Sequence, residues 1–157
     1  MRKSKYVKWT NSLVLRLWLL LVACGLSFGV FAQTSSADSA ISIAQQWLEA
    51  ADADAAIMWE KSDPLMKDKV DRTFWINYIM SRKNTLGSAP GLRVWTEMER
   101  KINHPSLPPG EFTSVLFVSQ IAQIRTWEKV SLVWNRDHWS PVGYQYGTIP
   151  NINPIAK

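Results

Sequence analysis

Leu92-Arg93-Val94-Trp95-Thr96-Glu97-Met98-Glu99-Arg100-Lys101-Ile102 is the stretch where the hydrophobic period of this chain changes. Leu92, Val94, Thr96, Met98 and Ile102 alternate with Arg93, Trp95, Glu97, Glu99 and Lys101. That period of two predicts a strand with one buried and one wet face. The apolar residues before Gly91 recur at helical spacing, whereas those after it do not. Helices first and strands second predict an α+β domain.

Upstream of the switch, Ala40, Ile43, Ala44, Trp47, Leu48 and Ala51 form an amphipathic stripe, with Asp38 or Ser39 placed to cap it. A short second helix is expected over 55–61, carrying Ala55, Ala56 and Trp59. Ser62-Asp63-Pro64 starts a third, with Asp63 as N-cap and Pro64 in the first turn. Val70, Phe74, Tyr78 and Ile79 are read as its inward face, with Trp75 beside them, and it is expected to run to about Asn84. The helices are thus expected over 40–51, 55–61 and 64–84. Their apolar stripes need a sheet to cover them.

Downstream, Phe112 to Ile121 is apolar on both parities and reads as a central strand. Trp127 to Trp134 is the third strand, Asn135-Arg136-Asp137 a hairpin turn, and His138 to about Tyr146 the fourth. The proline-rich tail, 148–157, is expected to be irregular.

Three motifs now stand together: Gly110-Glu111-Phe112, Glu128-Lys129-Val130-Ser131-Leu132, and His138-Trp139-Ser140-Pro141-Val142-Gly143-Tyr144. They resemble the exported bacterial family known as domain of unknown function 4019, over about Ala40 to Tyr146. The resemblance implies an NTF2-like or cystatin-like cone, a curved four-stranded antiparallel sheet wrapping N-terminal helices. It brings no activity and no catalytic residues. Pro141 departs from the pattern; it removes a ladder donor and implies an edge or a bulge there.

At the N-terminus, Arg2, Lys3, Lys5, Lys8 and Arg16 precede the apolar run from Leu17 to Ala32. Val30 and Ala32 supply the residues before a cleavage site at Gln33. This is the build of a secretory signal peptide over 1–32, followed by a polar leader over 33–39 and the domain over 40–147. The run is shorter than the roughly 20 residues that span a bilayer. Leu21-Val22-Ala23-Cys24 also has the form of a lipoprotein box, so two alternatives stand beside cleavage after Ala32: lipidation at Cys24 and an uncleaved anchor. Export to the periplasm is the expectation, with membrane contact only through the signal or a lipid on Cys24.

Of 18 Lys+Arg and 13 Asp+Glu in the chain, five basic and no acidic residues fall in the signal. The remainder is formally neutral, which removes the main argument for a nucleic-acid partner. Cys24 is the only cysteine, so cleavage after Ala32 excludes disulfides and thiol chemistry.

His104 and His138 lie in turns without a second donor at ligand spacing, and no metal or cofactor is expected. Asp52-Ala53-Asp54 lacks the glycine and distal Glu of a calcium loop and reads as helix capping. No catalytic motif stands out. Seven tryptophans follow the signal, and two of them, Trp95 and Trp127, fall on polar strand faces that suit a binding surface.

Two function classes follow. One is a non-catalytic envelope module whose partner is a protein, a second copy included, or a small apolar ligand. The other is an isomerase-like or hydrolase-like enzyme using the mouth of the cone. The enzyme needs a buried acid with a raised pKa near an oxyanion donor, for which Tyr78 and Tyr144 are the candidates. No Asp or Glu is expected inside. A carboxyl within hydrogen-bond reach of either tyrosine is the observation that favours the enzyme.

Overall fold

The computed structural model describes residues 35–87, 91–121 and 123–150. The signal, with Cys24, Ala32 and Gln33, lies outside the described residues, as does the last part of the tail, 151–157. The chain divides into two units, Met1–Ala32 and Gln33–Lys157, and every described residue belongs to the second.

Helix α1 spans Ala37–Ala53 and starts earlier than the stripe alone suggests, because Ser36 caps it through the Ser39 amide. Its buried residues are Ala40, Ala44, Trp47, Leu48 and Ala51, the expected stripe without Ile43. Asp54 leaves the helix in extended conformation and caps α2, Ala55–Glu60, by accepting from the Ala56 amide at 2.8 Å.

The expected third helix is two helices. Asp63 caps α3, Pro64–Lys67, with Pro64 in its first turn. Asp71 then caps α4, Arg72–Leu86. The break has a local cause, since the Val70 carbonyl accepts from the Trp59 indole at 3.1 Å and Asp71 opens a new helix immediately after. Restarting at Asp71 also rotates the buried face. Trp75, Ile79, Arg82 and Leu86 point inward, and Phe74, expected inside, is 61% exposed. Gly87, at φ 99°, ends α4 in a conformation that favours glycine.

Four antiparallel strands follow: β1 Val94–Ile102, β2 Glu111–Ile121, β3 Ile124–Asn135 and β4 His138–Ile149. They pair in sequence order as an open meander, with β1 and β4 at the edges. The α+β class and the helix-then-sheet order are those the period switch predicts. The β4 strand runs three residues past Tyr146, into the segment expected to be irregular.

The helices cover one face of the sheet, over β2, β3 and β4. Thr113, Val115 and Phe117 of β2 and Glu128, Val130 and Leu132 of β3 are buried there. Pro141 lies on an edge strand, at the site where the β3–β4 register shifts. Its carbonyl accepts from the Asp63 amide at 2.8 Å, which ties α3 to the sheet.

In β1 the alternation predicted from sequence holds only in part. The register shifts between Trp95 and Glu97. Beyond the shift, Met98 pairs with buried Val115, and Glu97 and Glu99 are exposed, as expected. Before it the faces are exchanged. Trp95 pairs with buried Phe117, Arg93 is turned inward with its side chain 7% exposed, and Leu92 and Val94 are 84% and 53% exposed. One extra residue, Thr96, flips every side chain on one side of the bulge.

Candidate functional site

The most concentrated chemistry among the described residues is a cluster drawn from five places in the chain. Asp52 comes from the last turn of α1, Arg82 from α4, Arg93 from the entry to β1, Glu128 from β3 and Tyr144 from β4. Arg82 sits in the buried stripe of α4, Glu128 shares the face of Val130 and Leu132, and the β1 bulge turns Arg93 inward.

Glu128 Oε1 accepts from Arg82 Nη2 at 2.7 Å and from the Tyr144 hydroxyl at 2.5 Å, while Oε2 accepts from Arg93 Nε at 2.6 Å. Asp52 closes the arrangement: Oδ2 accepts from Arg93 Nη1 at 2.6 Å, and Oδ1 from Arg93 Nη2 at 2.9 Å and Arg82 Nη1 at 3.2 Å. Two carboxylates and two guanidinium groups alternate, so formal charge cancels. The side chains of Arg82 and Glu128 are 0% and 2% exposed, and Asp52 forms the outer corner at 26%.

The electrostatics are those of a clasp. Burial pushes the Glu128 carboxyl up, but Arg93 and Arg82 outweigh it and hold it below the usual carboxylate range. Burial likewise opposes the charge on Arg93, and its bonds to Asp52 and Glu128 overcome that. Tyr144 is raised above the usual phenol range by burial and by the Glu128 charge. Glu128 therefore stays ionised and Tyr144 neutral across physiological pH.

The expectation of an interior without acids is thus corrected. The signal for Glu128 was present: in Glu-x-Val-x-Leu it shares parity with two residues that belong inside. The proximity that favours an enzyme is met by Glu128 and Tyr144, whereas the raised acid it requires is not.

Tyr78 and Tyr144 come together. Their ring centroids are 6.2 Å apart within an aromatic cluster that includes Trp47, Trp75 and Tyr146. The Tyr78 hydroxyl donates to the Tyr144 carbonyl at 3.4 Å. Trp75 Nε1 is buried there without a partner among the described residues.

Trp95 and Trp127 do not come together. Trp95, 51% exposed, lies on the face of Phe117, on the edge strand β1. Trp127 pairs with Val118 and Gly147 on the opposite face and lies flat across Gly147, where a Cβ would fall 2.7 Å from its Nε1. His138 pairs with Asp137, and His104 with Ser106, each within its own turn.

The face away from α1 and α4 is open and hollow, with Leu65 of α3 and Lys69 just after it at the margin. In register across three strands stand Ser114, Ser131 and Gly143, a row of minimal side chains. One hollow of about 310 Å³ lies over that row, bounded by Leu107, Pro108 and Phe112. Another, of about 400 Å³, runs toward Leu116, Val118 and Trp127. Lys129, Glu99 and Ser114 line both, so the two adjoin as one trough.

Residues 43–144 match the family model described as "Protein of unknown function (DUF4019)". No curated protein and no solved structure matches the chain. The matched segment contains Asp52, Arg82, Arg93, Glu128 and Tyr144, and most of the sheet around the trough. The chain therefore belongs to the family of proteins of unknown function DUF4019.

Proposed function

We propose that the chain is an exported envelope protein whose domain binds a small ligand or a protein partner without performing chemistry on it. The observation that carries the non-catalytic reading is the state of Glu128. A general acid or base works with a pKa near the operating pH. Glu128 is held in the opposite direction by two arginines, and its lone pairs are committed to Arg82, Arg93 and Tyr144. Neither hollow of the outer face is lined by Glu128 or Tyr144. Export rests on the sequence of 1–32, and a partner other than nucleic acid rests on the neutral remainder. The periplasm is the proposed compartment, with a lipid on Cys24 as the alternative.

Native mass spectrometry of protein released by osmotic shock tests this reading. The expected species begins at Gln33 and carries a ligand adduct or a second chain. A lipid-modified Cys24 overturns the soluble form, and retention of Met1 overturns processing.

The enzyme reading draws on the contact between Tyr144 and Glu128. It requires that Glu128→Gln abolish turnover of some small substrate while binding persists. Loss of folding stability alone, without a catalytic phenotype, is the result expected here.

A further inference from the structure

We propose that the trough on the open sheet face is a binding site for a medium-chain fatty carboxylate, its head held at Lys129 and its chain lying against Leu107, Pro108 and Phe112. This deepens the binding-module reading and rests on it.

The cavity is built into the sheet. Ser114, Ser131 and Gly143 are direct cross-strand partners, so three adjacent strands each present a short side chain or none at the same level. Residues of ordinary size there would fill the hollow. Its volume, about 310 Å³, falls at the small end of ligand sites, which run roughly 300–1,000 Å³. Leu65 and Val142 extend the apolar lining at the β4 side.

The polar groups select the sign of the head. Lys69, Lys101 and Lys129 line the trough, against Glu99 and, in its second hollow, Glu97. Lys101 Nζ already pairs with Glu99 at 3.2 Å, which cancels both charges. Lys69 and Lys129 have no ion pair among the described residues. The hydroxyls of Ser114 and Ser131 add neutral donors at the floor. Three ammonium groups against two carboxylates leave the trough one positive charge, which beside an apolar wall complements a molecule with one anionic end and one apolar body. An ammonium is a compact point charge with three rotatable donors, so it pairs with an anionic head without requiring a bidentate geometry.

Isothermal titration of the purified protein with decanoate, below its micelle concentration, is the test. Decanol supplies the chain without charge; acetate and inorganic phosphate supply charge without the chain. The expected result is one decanoate per chain, weakened by salt, with each control bound at least about tenfold more weakly. Lys129→Gln and Lys69→Gln each reduce decanoate affinity, Lys129→Gln by about tenfold. Ser114→Leu fills the hollow and blocks binding, with circular dichroism showing that the sheet is retained.

Equal binding of decanol overturns recognition of the head, and equal binding of phosphate overturns the apolar body. Unchanged affinity in both Lys129→Gln and Ser114→Leu places the ligand elsewhere. No decanoate binding, together with a different adduct or partner in native mass spectrometry, overturns this site while leaving the module reading intact. Turnover of a substrate dependent on Glu128 overturns the module reading itself.

Discussion

The Tyr144 hydroxyl and Glu128 Oε1 meet at 2.5 Å as diagonal neighbours on β4 and β3, in a carboxylate already gripped by two guanidinium groups. The phenol is one of three side chains that satisfy this buried charge. Tyr144→Phe keeps the ring and deletes the donor. It should cost about 1.5–3 kcal/mol, the range for hydrogen bonds to charged groups, measured by urea unfolding.

Removing a whole ionic partner should cost more. Arg82→Met leaves Glu128 facing Arg93 and Tyr144 alone, and Asp52 facing Arg93. The expected loss is about 3–5 kcal/mol, because one buried charge is left under-compensated. Combining Arg82→Met with Glu128→Leu should destabilise by less than the sum of the two single changes, as members of one network couple. Strict additivity in that cycle would show that the two side chains do not act together.

Acid and alkali should each weaken the clasp, through different residues. The folded pKa of Glu128 lies below its unfolded value of about 4.3. Its contribution is therefore complete above that value and is lost as pH falls through the depressed folded pKa. Tyr144 is raised in the folded state, so its contribution is complete below about pH 10 and declines as pH rises further. Melting temperature against pH should show a shallower acid limb in Glu128→Gln and a shallower alkaline limb in Tyr144→Phe.

Adjacent aromatic residues on α4 should respond oppositely to truncation. Trp75 is 4% exposed and packs on Trp47, Tyr78 and Tyr144, so Trp75→Ala should cost about 3–5 kcal/mol. Phe74 is 61% exposed, and Phe74→Ala should stay within about 0.5 kcal/mol. Guanidinium unfolding of the two variants checks the rotation that the Asp71 cap imposes.

On the outer face, Gly147 is the seat of the Trp127 indole. An alanine methyl there would meet the ring at 2.7–2.9 Å. Gly147→Ala should cost about 1–3 kcal/mol and shift the tryptophan fluorescence. In a Trp127→Ala background the same change should become nearly neutral. A penalty that persists without the indole would have another origin.

The large-scale order was legible because periodicity reports burial directly. Val130 and Leu132, and the α1 stripe apart from Ile43, lie where their spacing puts them. The helix start at Asp63-Pro64 was equally plain. The β1 bulge was not, because Thr96 is an ordinary strand residue and an inserted position leaves no compositional mark. That single residue misplaced Arg93 and Trp95, and with Arg93 one of the four charged members of the cluster. Glu128 was readable from its parity with Val130, but an isolated acid makes sense inside only once Arg82 and Arg93 are known to arrive beside it. Those partners come from 46 and 35 positions away along the chain, beyond the reach of any local pattern. The hollow of the outer face is likewise a property of register: Ser114, Ser131 and Gly143 are unremarkable until three strands align them.

The clasp also decides how the domain comes apart. Its members belong to α1, α4, the entry to β1, β3 and β4, so lifting any one of these segments strands an opposite charge in the interior. Fraying from either end of the chain is penalised before it spreads, and partial opening gains little solvent freedom for its charge cost. Amides in α4, β3 and β4, and those of β1 beside Arg93, should then exchange with solvent through one shared opening event, with a common free energy.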